Sequence, residues 1–138
     1  MALTLDERQQ FLAEPHIAAL SVANGERGPL TVPIWYQYVP GGEPWVLTGA
    51  DSRKAQLIRA AGRFTLMVDR TEPTVRYVSV EGPVARIEPG TDAHLVEITK
   101  RYLPPGRAEE YLAFARAELG PQVVIALRPE RWLSADLG

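Results

Sequence analysis

The sequence predicts a mainly β domain with inserted helices, built as an antiparallel barrel or sandwich. Apolar or β-branched runs recur at residues 17–23, 30–39, 44–48, 64–68, 75–87 and 123–127, each bounded by Gly, Pro or Asn turn signals. Segments of helical spacing fall between hairpins, without the steady β-α-β alternation of a parallel doubly wound sheet. The fifth run is long for so small a chain, and such strands commonly pass between two sheets or close a barrel.

The elements follow in order. Thr4-Leu-Asp-Glu7 has the spacing of a capping box and starts a helix that Pro15 stops. Residues 17–23 and 30–39 form a hairpin about Asn24-Gly25, and the second of these strands carries Trp35, Tyr36 and Tyr38. Gly41-Gly42 turns the chain into the third strand. Asp51 or Ser52 then caps a helix with Ala55, Ile58 and Ala61 on one face, which Gly62 ends. Phe64, Leu66 and Val68 alternate through the fourth strand, and Gly82-Pro83 marks a bulge or bend in the fifth. Pro89-Gly90-Thr91 opens a helix with Leu95, Ile98 and Tyr102 in phase. Pro104-Pro105-Gly106 interrupts it, Tyr111, Leu112, Ala115 and Leu119 mark another helix, and Gly120-Pro121 releases the sixth strand.

Composition narrows the function classes. A chain of 138 residues, 46% of them hydrophobic, fits one domain over residues 1–138. The absence of cysteine excludes disulfides, thiolate metal sites and cysteine nucleophiles. With 15 basic against 17 acidic residues, no general basic field is present to hold nucleic acid. Residues 1–15 read as neither a signal peptide nor a membrane span, and no later run is apolar for about 20 residues. A cytoplasmic protein with no nucleic-acid or membrane partner is expected.

Only His16 and His94 are present, far apart in sequence, so a histidine-rich metal site and a Ser-His-Asp hydrolase both lack parts. Asp69, Glu72 and Glu81 lie near strand ends without an identifiable acid-base pairing. No Walker loop or dinucleotide-type glycine fingerprint occurs. No catalytic side chain can be assigned, and an enzyme of this composition would borrow its reactive group.

One run does point to a ligand. Thr48-Gly-Ala-Asp-Ser52-Arg53-Lys54 places two hydroxyls and two cations where a strand gives way to a helix. Cations in a first helical turn are each unfavourable by about 0.3–1 kcal/mol, so two in succession are explained by an anion at the helix end. A solvated helix start is the alternative. Pro33 interrupts a strongly β run, which predicts an edge, a bulge or a backbone stretch facing a ligand. Trp35, Tyr36 and Tyr38 fall on both faces of that strand and suit core, partner subunit or flat aromatic ligand. In the strand Arg76-Tyr77-Val78-Ser79-Val80-Glu81-Gly82, Val78 and Val80 share one face while Tyr77, Ser79 and Glu81 share the other.

Together the Thr48-x-x-x-Ser52-Arg53-Lys54 run and the Arg76 to Gly82 strand, similar to Arg-Gln-Val-Arg-Val-Glu-Gly, resemble the flavin-binding split barrels. That superfamily includes pyridoxamine 5′-phosphate oxidase and the flavin- and deazaflavin-dependent oxidoreductases. The resemblance implies a six-stranded antiparallel split β-barrel, homodimeric, with cofactor sites at the subunit interface. It assigns the cofactor phosphate to Thr48, Ser52, Arg53 and Lys54, lays the tricyclic ring along Val32, Pro33, Ile34 and Trp35, and adds Tyr77 to the site. The implied cofactor is FMN or the deazaflavin coenzyme F-420. Val32 and Gln37 stand where pyridoxamine phosphate oxidases carry arginine and lysine, Tyr77 and Ser79 replace glutamine and arginine, and the end of the chain lacks Arg-x-His. The expected activity is hydride or electron transfer to a small organic substrate other than pyridoxamine phosphate. The alternatives are a non-catalytic cofactor or haem carrier or sensor on the same barrel, and a plain structural dimer.

Overall fold

The structure, a computed structural model, describes residues 1–138. In chain order it contains α1 (Leu5–Ala13), β1 (Ala18–Asn24), β2 (Arg27–Ile34), β3 (Tyr36–Gln37), β4 (Trp45–Gly49), α2 (Arg53–Ala61) and β5 (Arg63–Arg70). These are followed by β6 (Arg76–Pro89), α3 (Asp92–Tyr102), α4 (Pro105–Glu118), β7 (Gln122–Leu127) and β8 (Arg131–Asp136). All pairings are antiparallel, in the order β2-β1-β5-β6-β7-β4-β3 with β8 on β6. The mainly β, antiparallel expectation holds.

The strand count differs from six in two places. The run 30–39 is broken at Trp35, because the chain leaves β1 after Ile34 and pairs with β4 from Tyr36 onward. The C-terminal segment forms β8, whose six residues, Arg131 to Asp136, pair with Glu81 to Arg76. Its pattern is masked in the sequence because Leu133 faces out, 64% exposed, while Ser134 is buried.

β6 organises the whole. Its first part pairs with β5 and β8, and its last part, Val84–Pro89, pairs with β7 after a register shift. The change of sheet follows Gly82, where an added Cβ would lie 1.8 Å from the carbonyl oxygen of Arg128. Only a residue without a side chain permits that approach. One core of 20 buried residues joins both sheets to α1 and α2, with Phe11, Leu12, Leu20, Tyr36, Val46, Ile58, Leu66, Val80 and Ile125 at its centre.

The helix starts obey their capping chemistry. Thr4 and Glu7 form the full capping box, and Thr91 caps α3 with His94 returning the bond, its Nδ1 accepting the Thr91 N–H at 3.0 Å. Gly62 ends α2 in the left-handed conformation at φ 73°. No helix is long and apolar enough to cross a membrane.

The sheet order begins with β2 and ends with β3, which are consecutive in the chain and meet at Trp35. The barrel is therefore closed there by covalent continuity, without a hydrogen-bonded ladder. α3 and α4 lie over this seam.

Candidate functional site

The seam opens into a cleft of about 440 Å³. β2 and the residue after it supply Pro33, Ile34 and Trp35. β4 supplies Leu47, Thr48 and Gly49, α2 supplies Lys54, α3 supplies Leu95 and Ile98, and Ile17, Tyr111 and Gln122 complete the lining. Pro33 lies on the edge strand and in the lining, so its missing N–H removes no ladder bond from a central strand.

Polarity divides the cleft. Thr48, Gly49, Lys54 and Gln122 gather near the N-terminus of α2, and Lys54 is the one charged residue in the lining. The hydroxyl of Thr48, a residue only 5% exposed, lies 3.3 Å from the Ser52 hydroxyl. Ser52 caps α2 by accepting the Ala55 N–H at 3.2 Å. The first-turn N–H groups of α2 have no carbonyl partner within the helix and carry its positive end. An anion at this end would meet a hydroxyl, an ammonium and backbone donors together.

The rest of the lining is apolar and aromatic. Trp35 stacks on Tyr102, with ring centroids 4.8 Å apart and planes at 14°. It meets Tyr111 at 5.2 Å and 47°. Burial pushes the phenols of both tyrosines up, so at neutral pH they are uncharged hydroxyls and not bases.

Of the residues expected from the sequence, Pro33, Ile34, Trp35, Thr48 and Lys54 come together in the lining, with Ser52 directly behind Thr48. Three others stand apart. Arg53 donates from Nη2 to Asn24 Oδ1 at 2.9 Å and is absent from the lining. Val32 packs against the core and borders a second depression of about 330 Å³, which shares Ile17 and Pro33 with the cleft but is separate from it. Tyr77 lies in β6 opposite Asp69 and Ala135, outside the cleft.

Leu95, Ile98 and Tyr111 read as helix positions in the sequence, and Gln122, just before the run 123–127, carries no signal there. What sets them in the cleft is the docking of α3 and α4 across the seam, which helical spacing alone does not encode. His16 and His94 are both structural: His16 packs on Phe11 at 4.4 Å, and His94 serves the α3 cap.

Comparison with known proteins agrees with this architecture. A search of curated proteins gives no match. Among solved structures, the conserved hypothetical protein Rv2991 of Mycobacterium tuberculosis superposes with a TM-score of 0.75 at 22% identity, covering 99% of this chain and 86% of that one. An F-420 reductase gives 0.71 at 21% identity, covering 91% and 94%. A FAD-binding protein of Mesorhizobium loti gives 0.64 at 20% identity, covering 99% and 95%. The pyridoxamine 5′-phosphate oxidase family matches residues 4–135. This protein, with its split antiparallel barrel and its cleft at the seam, therefore belongs to the pyridoxamine 5′-phosphate oxidase family.

Proposed function

We propose that the chain binds FMN or the deazaflavin coenzyme F-420 in the seam cleft and transfers hydride or electrons to a small organic substrate. The observation that carries this reading is the mixed lining of the cleft, in which Lys54 and Thr48 stand at the N-terminus of α2 and the rings of Trp35 and Tyr111 stand among apolar residues. A ring joined by a polar chain to a phosphate has the same mixed character. The F-420 reductase and the FAD-binding protein among the similar structures support the cofactor class.

When bound, the ring supplies the hydride or one-electron chemistry that no side chain here provides. Lys54, Thr48 and the α2 N-terminus would neutralise and orient the phosphate. Pro33, Ile34 and Trp35 would form the strand beside the ring, with Leu95 and Ile98 excluding water. The Tyr111 hydroxyl, held protonated, is available only as a hydrogen-bond donor or acceptor toward substrate.

The substrate differs from pyridoxamine phosphate in this reading. Gln37, at the position expected to be lysine in a pyridoxamine phosphate oxidase, is engaged by Arg101 Nη1 and by Glu97, and Lys54 is the only cation in the cleft. A second phosphate has no partner there. The reading also includes a homodimer, in which a second copy covers the outer sheet face bearing Ile17 and Leu133, 53% and 64% exposed.

The test is to load the purified protein, reduce it without oxygen, and mix it rapidly with enones and quinones. Reoxidation well above the free-cofactor rate is expected. Reoxidation at that rate would make the protein a carrier, and failure to take up either cofactor would remove the reading.

A further inference from the structure

The ladder between β1 and β2 ends with Ala18 opposite Ile34. Continued in the same register, it would set His16 opposite Tyr36 and close the seam with a direct backbone bond. The hydroxyl of Tyr102, carried by α3, stands in that place. It accepts the Tyr36 N–H at 3.1 Å and donates to the His16 carbonyl at 2.7 Å, with the Tyr36 carbonyl 3.1 Å away.

A hydroxyl suits this position because it both donates and accepts, so it satisfies two backbone groups that the open seam would otherwise orphan. A water could do the same, but it could not fix what lies beside it. The Tyr102 ring is the surface on which Trp35 stacks, and Trp35 is the residue between β2 and β3 that lines the cleft. Opening of the backbone and orientation of the indole therefore depend on one side chain.

The end of α3 is itself pinned. Arg101 donates from Nη1 to the Ala13 carbonyl at 2.9 Å and to Gln37 Oε1 at 3.0 Å, and from Nη2 to the Glu14 carbonyl at 2.9 Å. Its guanidinium lies 4.9 Å from the Tyr36 ring and 5.6 Å from the Tyr102 ring. These bonds fix α3 to the end of α1 and to β3, on the two sides of the seam.

We propose that Tyr102 is the positioning residue of the cleft: its hydroxyl holds the seam open between His16 and Tyr36, and its ring sets Trp35 as the wall for a planar ligand. The identity of that ligand as a flavin-type ring rests on the function proposed above, whereas the placement of Trp35 does not.

The test uses full-length protein in which Trp35 is the sole tryptophan, made by Trp45→Phe and Trp132→Phe, and compares Tyr102 with Tyr102→Phe and Tyr102→Leu. Tyr102→Phe keeps the stacking ring and removes only the bridging hydroxyl. Without any ligand, a shift of Trp35 emission is expected in both variants, including the phenylalanine one. With FMN, affinity should fall about tenfold in Tyr102→Phe, the size of one lost hydrogen bond. Competition by inorganic phosphate, which reports the Lys54 part of the cleft, should stay unchanged.

Unaltered Trp35 emission in Tyr102→Phe would overturn the proposal. So would equal weakening of FMN and phosphate, which marks a general structural role. If the parent protein binds neither FMN nor the deazaflavin, the cofactor reading falls, and the emission measurement still decides the role of Tyr102.

Discussion

Lys54 and Arg53 are adjacent in sequence and have different tasks. Lys54 faces the cleft, while Arg53 is bonded to Asn24 at the end of β1. Lys54→Ala should therefore weaken FMN binding about 10- to 100-fold, as loss of a charge-assisted hydrogen bond does, and Arg53→Ala should change it severalfold at most. Calorimetric titration of each variant separates the two, and equal losses would place Arg53 at the phosphate as well. The sequence run suggests an anion at this helix start, but residue types do not show which cation turns inward. That depends on the β1–β2 hairpin packed beside α2, where Asn24 offers Arg53 a partner.

Asp136 provides the pH-sensitive contact at residue scale. The Gly138 backbone N–H, the Thr74 hydroxyl and the Arg76 guanidinium hold its carboxyl down to about 2. An unfolded aspartate titrates at about 3.9. The stabilisation is thus whole above that value and is lost as pH falls toward 2. Thermal unfolding followed between pH 5 and 2 should show this loss in the parent and a flatter profile in Asp136→Asn. Parallel profiles would show that the carboxylate contributes nothing to acid sensitivity.

At the scale of elements, β6 depends on Gly82. The Cβ introduced by Gly82→Ala would clash with the backbone of Arg128, which cannot retreat without disturbing the bond from the Arg128 N–H to the Pro83 carbonyl, 2.9 Å. A loss of about 3 kcal/mol or more is expected from such overpacking. Gly28→Ala serves as the control, since its Cβ meets nothing within 4 Å, and should unfold with the parent. Chemical denaturation of both variants measures the difference.

The elements legible in the sequence were those whose signals are local. The Thr4 capping box, the Ser52 and Thr91 caps, the Gly62 terminator and the length of β6 all appear where residue chemistry places them. The misses came from distant contacts. β2 and β3 read as one strand because their separation is a change of partner at Trp35, from β1 to β4, and the hydroxyl that takes the place of β1 beside Tyr36 comes from Tyr102, 66 positions beyond it. β8 was obscured because its regularity is imposed by pairing with β6, while its own sequence, RWLSAD, exposes a leucine and buries a serine. The same distinction explains the site: its polar part is a contiguous motif, but its aromatic part is assembled from β2, α3 and α4.

For the whole molecule, the seam is both the gap in the sheet and the place of the proposed ligand site. Closing the barrel through Trp35 leaves space that α3 and α4 cover, so the cleft needs no separate domain. The outer face of the β2-β1-β5-β6-β8 sheet keeps Ile17, Val75 and Leu133 exposed, in agreement with the proposed dimer. Sedimentation equilibrium should return twice the 15.3 kDa chain mass, and Leu133→Asp should shift the mass toward one chain. A monomeric parent would assign that face to another partner.

The most direct measurement is a side-by-side titration of the purified protein with FMN and with the deazaflavin coenzyme, in the parent and in Lys54→Ala. Saturable binding of one of them, accompanied by quenching of tryptophan emission and weakened at least tenfold by Lys54→Ala, is the expected result. No saturable binding of either, or binding that Lys54→Ala leaves unchanged, would contradict the assignment of the seam cleft as a phosphate-anchored flavin site.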